Sequence, residues 1–324
     1  MEDMAAYTQD ILDLIEWANG PVDSEWGRKR AEAGHPAPFN LKYVGVGNEE
    51  GFNDRFIPRF DYIRAVLKEK HPEITVIGTA GAGPDGHTFD EHWKHARATG
   101  VEIVDEHFYK DVEWFLNNLD RYDGYERNTT KVYIGEYACN TGSFQGNTFD
   151  TALCEAAFLT GLERNGDVVE MASYAPLLAC DVTDQWVWKP DLIFFNNSEV
   201  KPSVNYQVQK LYGAHSGTEY WNTVVSAANQ DPFVSQRIAA STVRDPQTGD
   251  IIIKLVNILP APTTLDAVIT NATHVASVAT LQLLTAGSLA DREATLTEST
   301  VPAGTRFPVE LPAYSFAVLR LKTQ

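Results

Sequence analysis

Cysteine is scarce in this 324-residue chain, which carries only Cys139, Cys154 and Cys180. An odd number of thiols at irregular spacing gives neither a disulfide framework nor a zinc site, and all three are expected to be small buried apolar side chains. Basic residues are few as well: 26 Lys and Arg stand against 44 Asp and Glu, a formal net charge of −18. Phosphate binding relies on clustered Lys and Arg, so nucleic acid is excluded as a partner and a neutral substrate fits better. No apolar run approaches the roughly 20 residues of a membrane span, so no membrane partner is expected. The start, Met1-Glu2-Asp3-Met4, lacks the basic-then-apolar order of a signal peptide, and the compartment stays open. The glycines from Gly78 to Gly86 are not followed by Gly-Lys-Ser/Thr, so they form no phosphate loop. His92 and His95 are three residues apart with no third ligand at useful spacing; no metal and no cofactor is expected.

What the chain does have is two successive grammars. From Ala5 to Asn19 apolar residues recur at helical spacing, and Asn19-Gly20-Pro21 ends the run. A polar loop is expected next, then a strand over Leu41 to Gly47 and a helix over Arg55 to Lys70. Short apolar runs at Ile74 to Gly78, Val101 to Val104, Lys131 to Ile134 and Val168 to Leu178 then alternate with helical patterns ending at Val204 to Tyr212. Such alternation implies parallel βαβ units, with strands buried on both faces. After about residue 215 the helical pattern stops. Phe233 to Val243, Ile251 to Leu259, Leu265 to Ile269, His274 to Leu284 and Ser315 to Leu321 are β-rich and separated by turn residues. The expected fold class is α/β plus all-β, with residues 1–215 forming a barrel-type domain and 216–324 an antiparallel, jelly-roll-like β-sandwich.

In parallel α/β folds the reactive groups gather at the carboxyl ends of strands. Asn48-Glu49-Glu50 follows the first strand, Asp105-Glu106-His107-Phe108-Tyr109 the third and Glu136-Tyr137 the fourth. Two carboxylates flanking a bond are what glycoside cleavage requires, one protonating the leaving oxygen and the other attacking or activating water. Glu50 is expected at a helix start or the surface, and Glu106 as a buried hydrogen-bonding partner. Trp186 and Trp188 are candidates for stacking on sugar rings.

The motifs then carry a resemblance. Asn48-Glu49 after Tyr43-Val44-Gly45-Val46-Gly47 looks like the Gly-Asn-Glu motif of glycoside hydrolases whose acid/base ends barrel strand 4, and Ile134-Gly135-Glu136-Tyr137 like the nucleophile motif ending strand 7. The run from Ala18-Asn19-Gly20-Pro21 through Trp26-Gly27, Arg30-Ala31, Gly34-His35-Pro36 and Pro38-Phe39, together with Trp188-Lys189-Pro190-Asp191-Leu192-Ile193, is similar to glycoside hydrolase family 51 α-L-arabinofuranosidases. The resemblance implies strands 4–8 of a (β/α)8 TIM barrel. It also implies a retaining enzyme that removes terminal α-L-arabinofuranosyl residues from arabinan or arabinoxylan, with no cofactor. Glu49 would be acid/base and Glu136 nucleophile. Asn48 would bind the sugar's 2-hydroxyl, Tyr109 would donate to the nucleophile, and His107 would position the site. Asp191 stands where some members have a sugar-contacting glutamine, and Trp188 is carried as a substrate-binding candidate. The partner would be an arabinose-containing oligo- or polysaccharide, and the full-length family commonly forms homo-oligomers.

A complete barrel takes about 250 residues, yet only one helical pattern is expected ahead of Leu41. Strands 1 to 3 are thus expected to be absent, with unpaired sheet edges and little or no hydrolase activity from this chain alone. Two rival readings stay open: another retaining hydrolase of the same clan, such as a xylanase or glucanase, and a non-catalytic carbohydrate-binding protein.

Overall fold

The computed structural model describes residues 4–140, 146–181, 188–229, 231–270, 272 and 274–323; Trp186 lies outside them. Contacts divide the chain into two compact units, one of residues 1–108, 127–135 and 170–172, the other of 109–126, 136–169 and 173–324. Among the described residues no helix is long and apolar enough to cross a membrane.

The first unit opens with helix α1 (Met4–Asn19), which buries Leu12, Ile15 and Ala18 at helical spacing. The expected polar loop contains a second helix, α2 (Glu25–Glu32). Ser24 caps it by accepting the Gly27 N–H at 3.2 Å. The segment Glu25-Trp26-Gly27-Arg28-Lys29-Arg30 carries no apolar stripe, so periodicity missed it. It is anchored instead by Arg30, whose fully buried guanidinium donates to the carbonyls of Trp17, His35 and Pro36 at 2.8, 3.0 and 3.1 Å. Then follow β1 (Tyr43–Gly45), α3 (Phe56–Lys70), β2 (Thr75–Thr79), α4 (His87–Thr99) and the start of β3 (Ile103–Asp111). Phe60, Ile63 and Leu67 are the buried apolar face of α3, as their spacing predicts. β1 pairs with β2, and β2 with β3, both in parallel register.

The strands β4 (Lys131–Asn140) and β5 (Val169–Tyr174) complete a five-stranded sheet of order β1-β2-β3-β4-β5, with β1 and β5 at its edges. This is the expected half-barrel: parallel strands in chain order, joined by crossovers that include α3, α4, α5 (Val112–Leu116) and α6 (Phe149–Arg164).

Within the second unit, α6 is sheathed on nearly every side, from Phe149 through Leu162. Such a helix has no polar face to show in the sequence, and a reciprocal Thr148–Thr151 capping box starts it. Cys139 and Cys154 are buried as expected, but Cys180 is exposed. It occupies an outward position of the short strand β6 (Leu178–Cys180), which pairs with β7 (Ile193–Phe195), and β7 with β8 (Val200–Pro202). The single strand expected over Val168 to Leu178 is therefore two, parted by a bend. Helix α7 (Val204–Ala214) follows.

The β-rich part of this unit holds a six-stranded sheet, β14-β13-β16-β11-β10-β9, and a two-stranded sheet, β12-β15. The strands are β9 (Glu219–Trp221), β10 (Ile238–Arg244), β11 (Ile251–Asn257), β12 (Thr263–Val268), β13 (Val275–Thr285), β14 (Thr295–Pro302), β15 (Arg306–Leu311) and β16 (Ser315–Thr323), with a short helix α8 (Pro232–Ser235) before β10. All their pairings are antiparallel, and their inner faces share one core around Ile251, Ile253, Leu281, Phe307, Val309, Leu319 and Leu321.

A buried polar cluster ties α6 to this core. Glu163 accepts from Lys254 Nζ at 2.5 Å and from the Ser241 hydroxyl. The Lys254 side chain is fully buried, and its ammonium lies 5.0 Å from the centre of the Tyr212 ring. Tyr212 in turn stacks on Phe316 and donates its hydroxyl to the Ala156 carbonyl. Burial lowers the Lys254 pKa, with Glu163 opposing the shift. Removing one partner of a buried pair strands the other charge. Glu163→Ala is expected to lower unfolding stability by about 3–5 kcal/mol, read from denaturant midpoints. Lys254→Met, which keeps the volume and removes the ammonium, is expected to cost clearly less.

A second buried acid on α6, Glu155, accepts the Cys139 N–H at 3.0 Å. Burial pushes it up to about 8 from an ordinary 4.5, against the opposing pull of neighbouring donors such as the Cys139 N–H. The folded chain therefore keeps a proton that the unfolded chain releases. Between pH 4.5 and about 8 this acid makes stability fall as pH rises, with no further loss above. Glu155→Gln is expected to flatten that slope in melting curves taken across the window.

Candidate active site

The loop after β1 is shaped by backbone geometry that few residues tolerate. Gly47 sits at φ 98°, and a Cβ there would lie 2.7 Å from the Phe56 ring and 2.8 Å from Glu50 Oε2. Glu49 itself has φ 58°, a left-handed conformation that a non-glycine residue adopts at a cost. The turn is held by Glu50, whose carboxylate accepts the Asn48 N–H and whose own carbonyl is 3.0 Å from the His92 ring nitrogen Nε2. Glu50 thus braces the turn, a role more specific than the expected surface position. His95, also on α4, pairs with Asp61 at 2.9 Å.

The turn leaves Asn48 exposed and presents Glu49 partly exposed, with Oε1 3.1 Å from His107 Nδ1. The other ring nitrogen, Nε2, lies 3.0 Å from Asp105 Oδ2, and Asp105 Oδ1 accepts the Gly135 N–H at 2.8 Å. The His107 side chain is only 3% exposed. Carboxylates and imidazole are donor types that suit a divalent cation. Here both ring nitrogens already face carboxylate oxygens, so an ion would have to displace one of those bonds.

Alternation along β3 puts Asp105, His107 and Tyr109 on one face, and Glu106 and Phe108 on the other. Glu106 is fully buried and accepts from Trp93 Nε1 at 3.1 Å, the structural partner role expected of it.

In the second unit, the Tyr109 hydroxyl donates to Glu136 Oε2 at 2.7 Å. A phenol O–H aimed at a carboxylate favours its ionised form and fixes its direction. Trp188 flanks Tyr109, their rings 6.2 Å apart, edge to face, and is 39% exposed. Asp191 is different. It is 2% exposed, and burial pushes its carboxyl up to about 6 against the pull of Lys189. A carboxyl so enclosed is not presented to solvent.

The structure thus brings Glu49 together with His107, and Glu136 with Tyr109 and Trp188. The sequence reading missed Asp105 as a partner, although its position two residues before His107 on one strand was the signal that could have found it.

The chain matches the family model described as α-L-arabinofuranosidase 1 domain over residues 1–127 and the α-L-arabinofuranosidase C-terminal domain over residues 135–315. It is 50% identical over 235 residues to an extracellular exo-α-L-arabinofuranosidase of Streptomyces chartreusis, covering 72% of this chain and 27% of that protein. α-L-Arabinofuranosidase 2 of Arabidopsis thaliana is 35% identical over 221 residues, covering 68% of this chain and 31% of that protein. The chain therefore spans about a third or less of the length of these relatives. Among solved structures, an arabinose-bound family 51 α-L-arabinofuranosidase superposes with a TM-score of 0.85 at 31% identity, over all of this chain and 52% of that one. With the half-barrel and the β-rich part already described, and Glu49 after β1 and Glu136 within β4, these matches make the chain a member of the glycoside hydrolase family 51 α-L-arabinofuranosidases.

Proposed function

We propose that this chain supplies the acid/base and the nucleophile of a retaining α-L-arabinofuranosidase acting on terminal arabinofuranosyl residues of arabinan- or arabinoxylan-type polysaccharides. The observation that carries the reading is the hydrogen bond from the Tyr109 hydroxyl to Glu136, 2.7 Å long. It supports reading Glu136 as the carboxylate held in one direction for attack. Glu49, bonded to His107, is then the partner that handles the proton. His107 and Tyr109 are two residues apart on one face of β3, which supports assigning both glutamates to a single sugar ring.

In the first step Glu136 attacks the anomeric carbon. The glycosidic bond breaks as Glu49 gives its proton to the leaving oxygen, and the sugar becomes an ester of Glu136. In the second step Glu49 takes a proton from water, whose oxygen displaces Glu136 from the same carbon. Two inversions give net retention. Glu136 is a carboxylate when it attacks and an ester when Glu49 acts as base, so one pair serves both steps. Asn48, next to Glu49, is placed to bind the 2-hydroxyl, and Trp188 offers an aromatic edge beside the Tyr109–Glu136 pair. Asp191 is assigned no sugar contact, because its carboxyl is enclosed.

The test is kinetic, run on this chain and on one extended to the length of its relatives. Glu136→Ala is expected to lower hydrolysis of an aryl α-L-arabinofuranoside more than about 10⁴-fold, with azide restoring turnover as the opposite anomer. Glu49→Ala is expected to lose about 10²- to 10⁴-fold on substrates with poor leaving groups. Parent-like rates in either variant would remove the assignment, and preferential turnover of xylan or glucan would reassign the substrate.

A further inference from the structure

We infer that Asp105 is a positioning residue for the acid/base: it fixes the plane and the protonated nitrogen of His107, and so determines which oxygen of Glu49 is left for the substrate. The inference rests on the reading of Glu49 as acid/base. Its structural basis is a chain of contacts. Glu49 Oε1 lies 3.1 Å from His107 Nδ1, His107 Nε2 lies 3.0 Å from Asp105 Oδ2, and Asp105 Oδ1 accepts the Gly135 N–H at 2.8 Å.

An ionised carboxylate can only accept, so Asp105 Oδ2 requires the N–H of His107 to be on Nε2. A nearly buried imidazole held at Nε2 cannot swing, and Nδ1 stays against Glu49 Oε1. Glu49 Oε2 is thereby the oxygen left facing the substrate, while Oε1 stays engaged by the ring. The other oxygen of Asp105 needs a fixed donor of its own, and the backbone before Glu136 supplies it. That contact demands glycine: a Cβ at Gly135 would fall 2.2 Å from Asp105 Oδ1. Glycine at this position therefore has a stated reason, namely the close approach of a side chain that orients a histidine.

Asp105→Asn keeps an oxygen for the Gly135 N–H and turns an amide N–H₂ toward His107, so Nε2 must become the acceptor and the ring proton must move to Nδ1. Nitrogen-15 NMR of histidine-labelled protein, with His107 assigned by its loss in His107→Asn, reads this directly and requires no turnover. The expected result is a protonated Nε2 in the parent chain and an unprotonated Nε2 in Asp105→Asn. An unprotonated Nε2 in the parent, or an unchanged ring in the variant, would overturn the inference. If Asp105→Asn does not fold, Gly135→Ala, which denies Asp105 its backbone donor, is expected to alter the same His107 signals, and unchanged signals there would count equally against it.

Kinetics supply the second readout, in the chain of whichever length turns over. Asp105→Asn is expected to slow an alkyl arabinofuranoside by about 10- to 100-fold, within the range of acid catalysis, while a dinitrophenyl arabinofuranoside, which needs no proton, is cleaved at nearly the parent rate. Equal losses on both substrates would mean that Asp105 acts only on the fold, and would sink the proposal. Glu49→Ala is the control that separates the two readings. If it shows no leaving-group dependence, the acid/base assignment fails while the NMR result for His107 stands by itself.

Discussion

Side-chain alternation along β3 is the constraint on which the functional reading depends. A strand offers each face only every second residue, and here that face receives Asp105, His107 and Tyr109 in succession. Each bonds a group on or just after a neighbouring strand: Gly135 and Glu136 within β4, and Glu49 in the loop after β1. The intervening residues, Glu106 and Phe108, are spent on the opposite, helix-covered side, where Trp93 meets Glu106. A slip of one residue in register would exchange the two sets at once, placing Phe108 where an imidazole is required. The parallel pairing of β2 with β3, Ile77 opposite Ile103, is therefore as much a part of the proposed chemistry as the glutamates are.

The loop after β1 adds a local cost to this arrangement. A left-handed non-glycine residue such as Glu49 is typically worth about 1–3 kcal/mol of strain. The surroundings hold it there through the Glu50 carboxylate on the Asn48 N–H, the His92 contact with the Glu50 carbonyl, and Phe56 filling the space a Gly47 side chain would need. Strain at a residue proposed as acid/base is consistent with a side chain aimed by its backbone and not by rotamer choice.

Much of this was legible beforehand, and the misses have physical causes. Continuous apolar runs and helical periods placed the parallel strands and most helices, because burial on both faces leaves that signature. α2 escaped because its stability comes from a cap and from one arginine reaching three carbonyls, neither of which produces an apolar period. β14 escaped because nearly all its residues are exposed, so threonines and polar groups hide the alternation. β15 alternates strictly, with Phe307, Val309 and Leu311 inward, but it is short and contains Pro308, which demotes a strand when read from sequence. At the site, residue types and strand ends pointed to Glu49, Glu136, His107 and Tyr109. Enclosure of Asp191 and the bracing of the turn by Glu50 depend on neighbours distant in sequence, which no local pattern encodes.

The Glu163–Lys254 cluster has a consequence for how this architecture varies over evolutionary time. One partner belongs to a barrel helix and the other to the β-rich segment, and Lys254 has no exposed surface by which water could take over the role of Glu163. An exchange of the residues after α7 for those of another protein would inherit half of a charge pair. Unless both sites change together, recombination at that junction produces chains with an orphan ion in the interior, which selection against misfolding would remove.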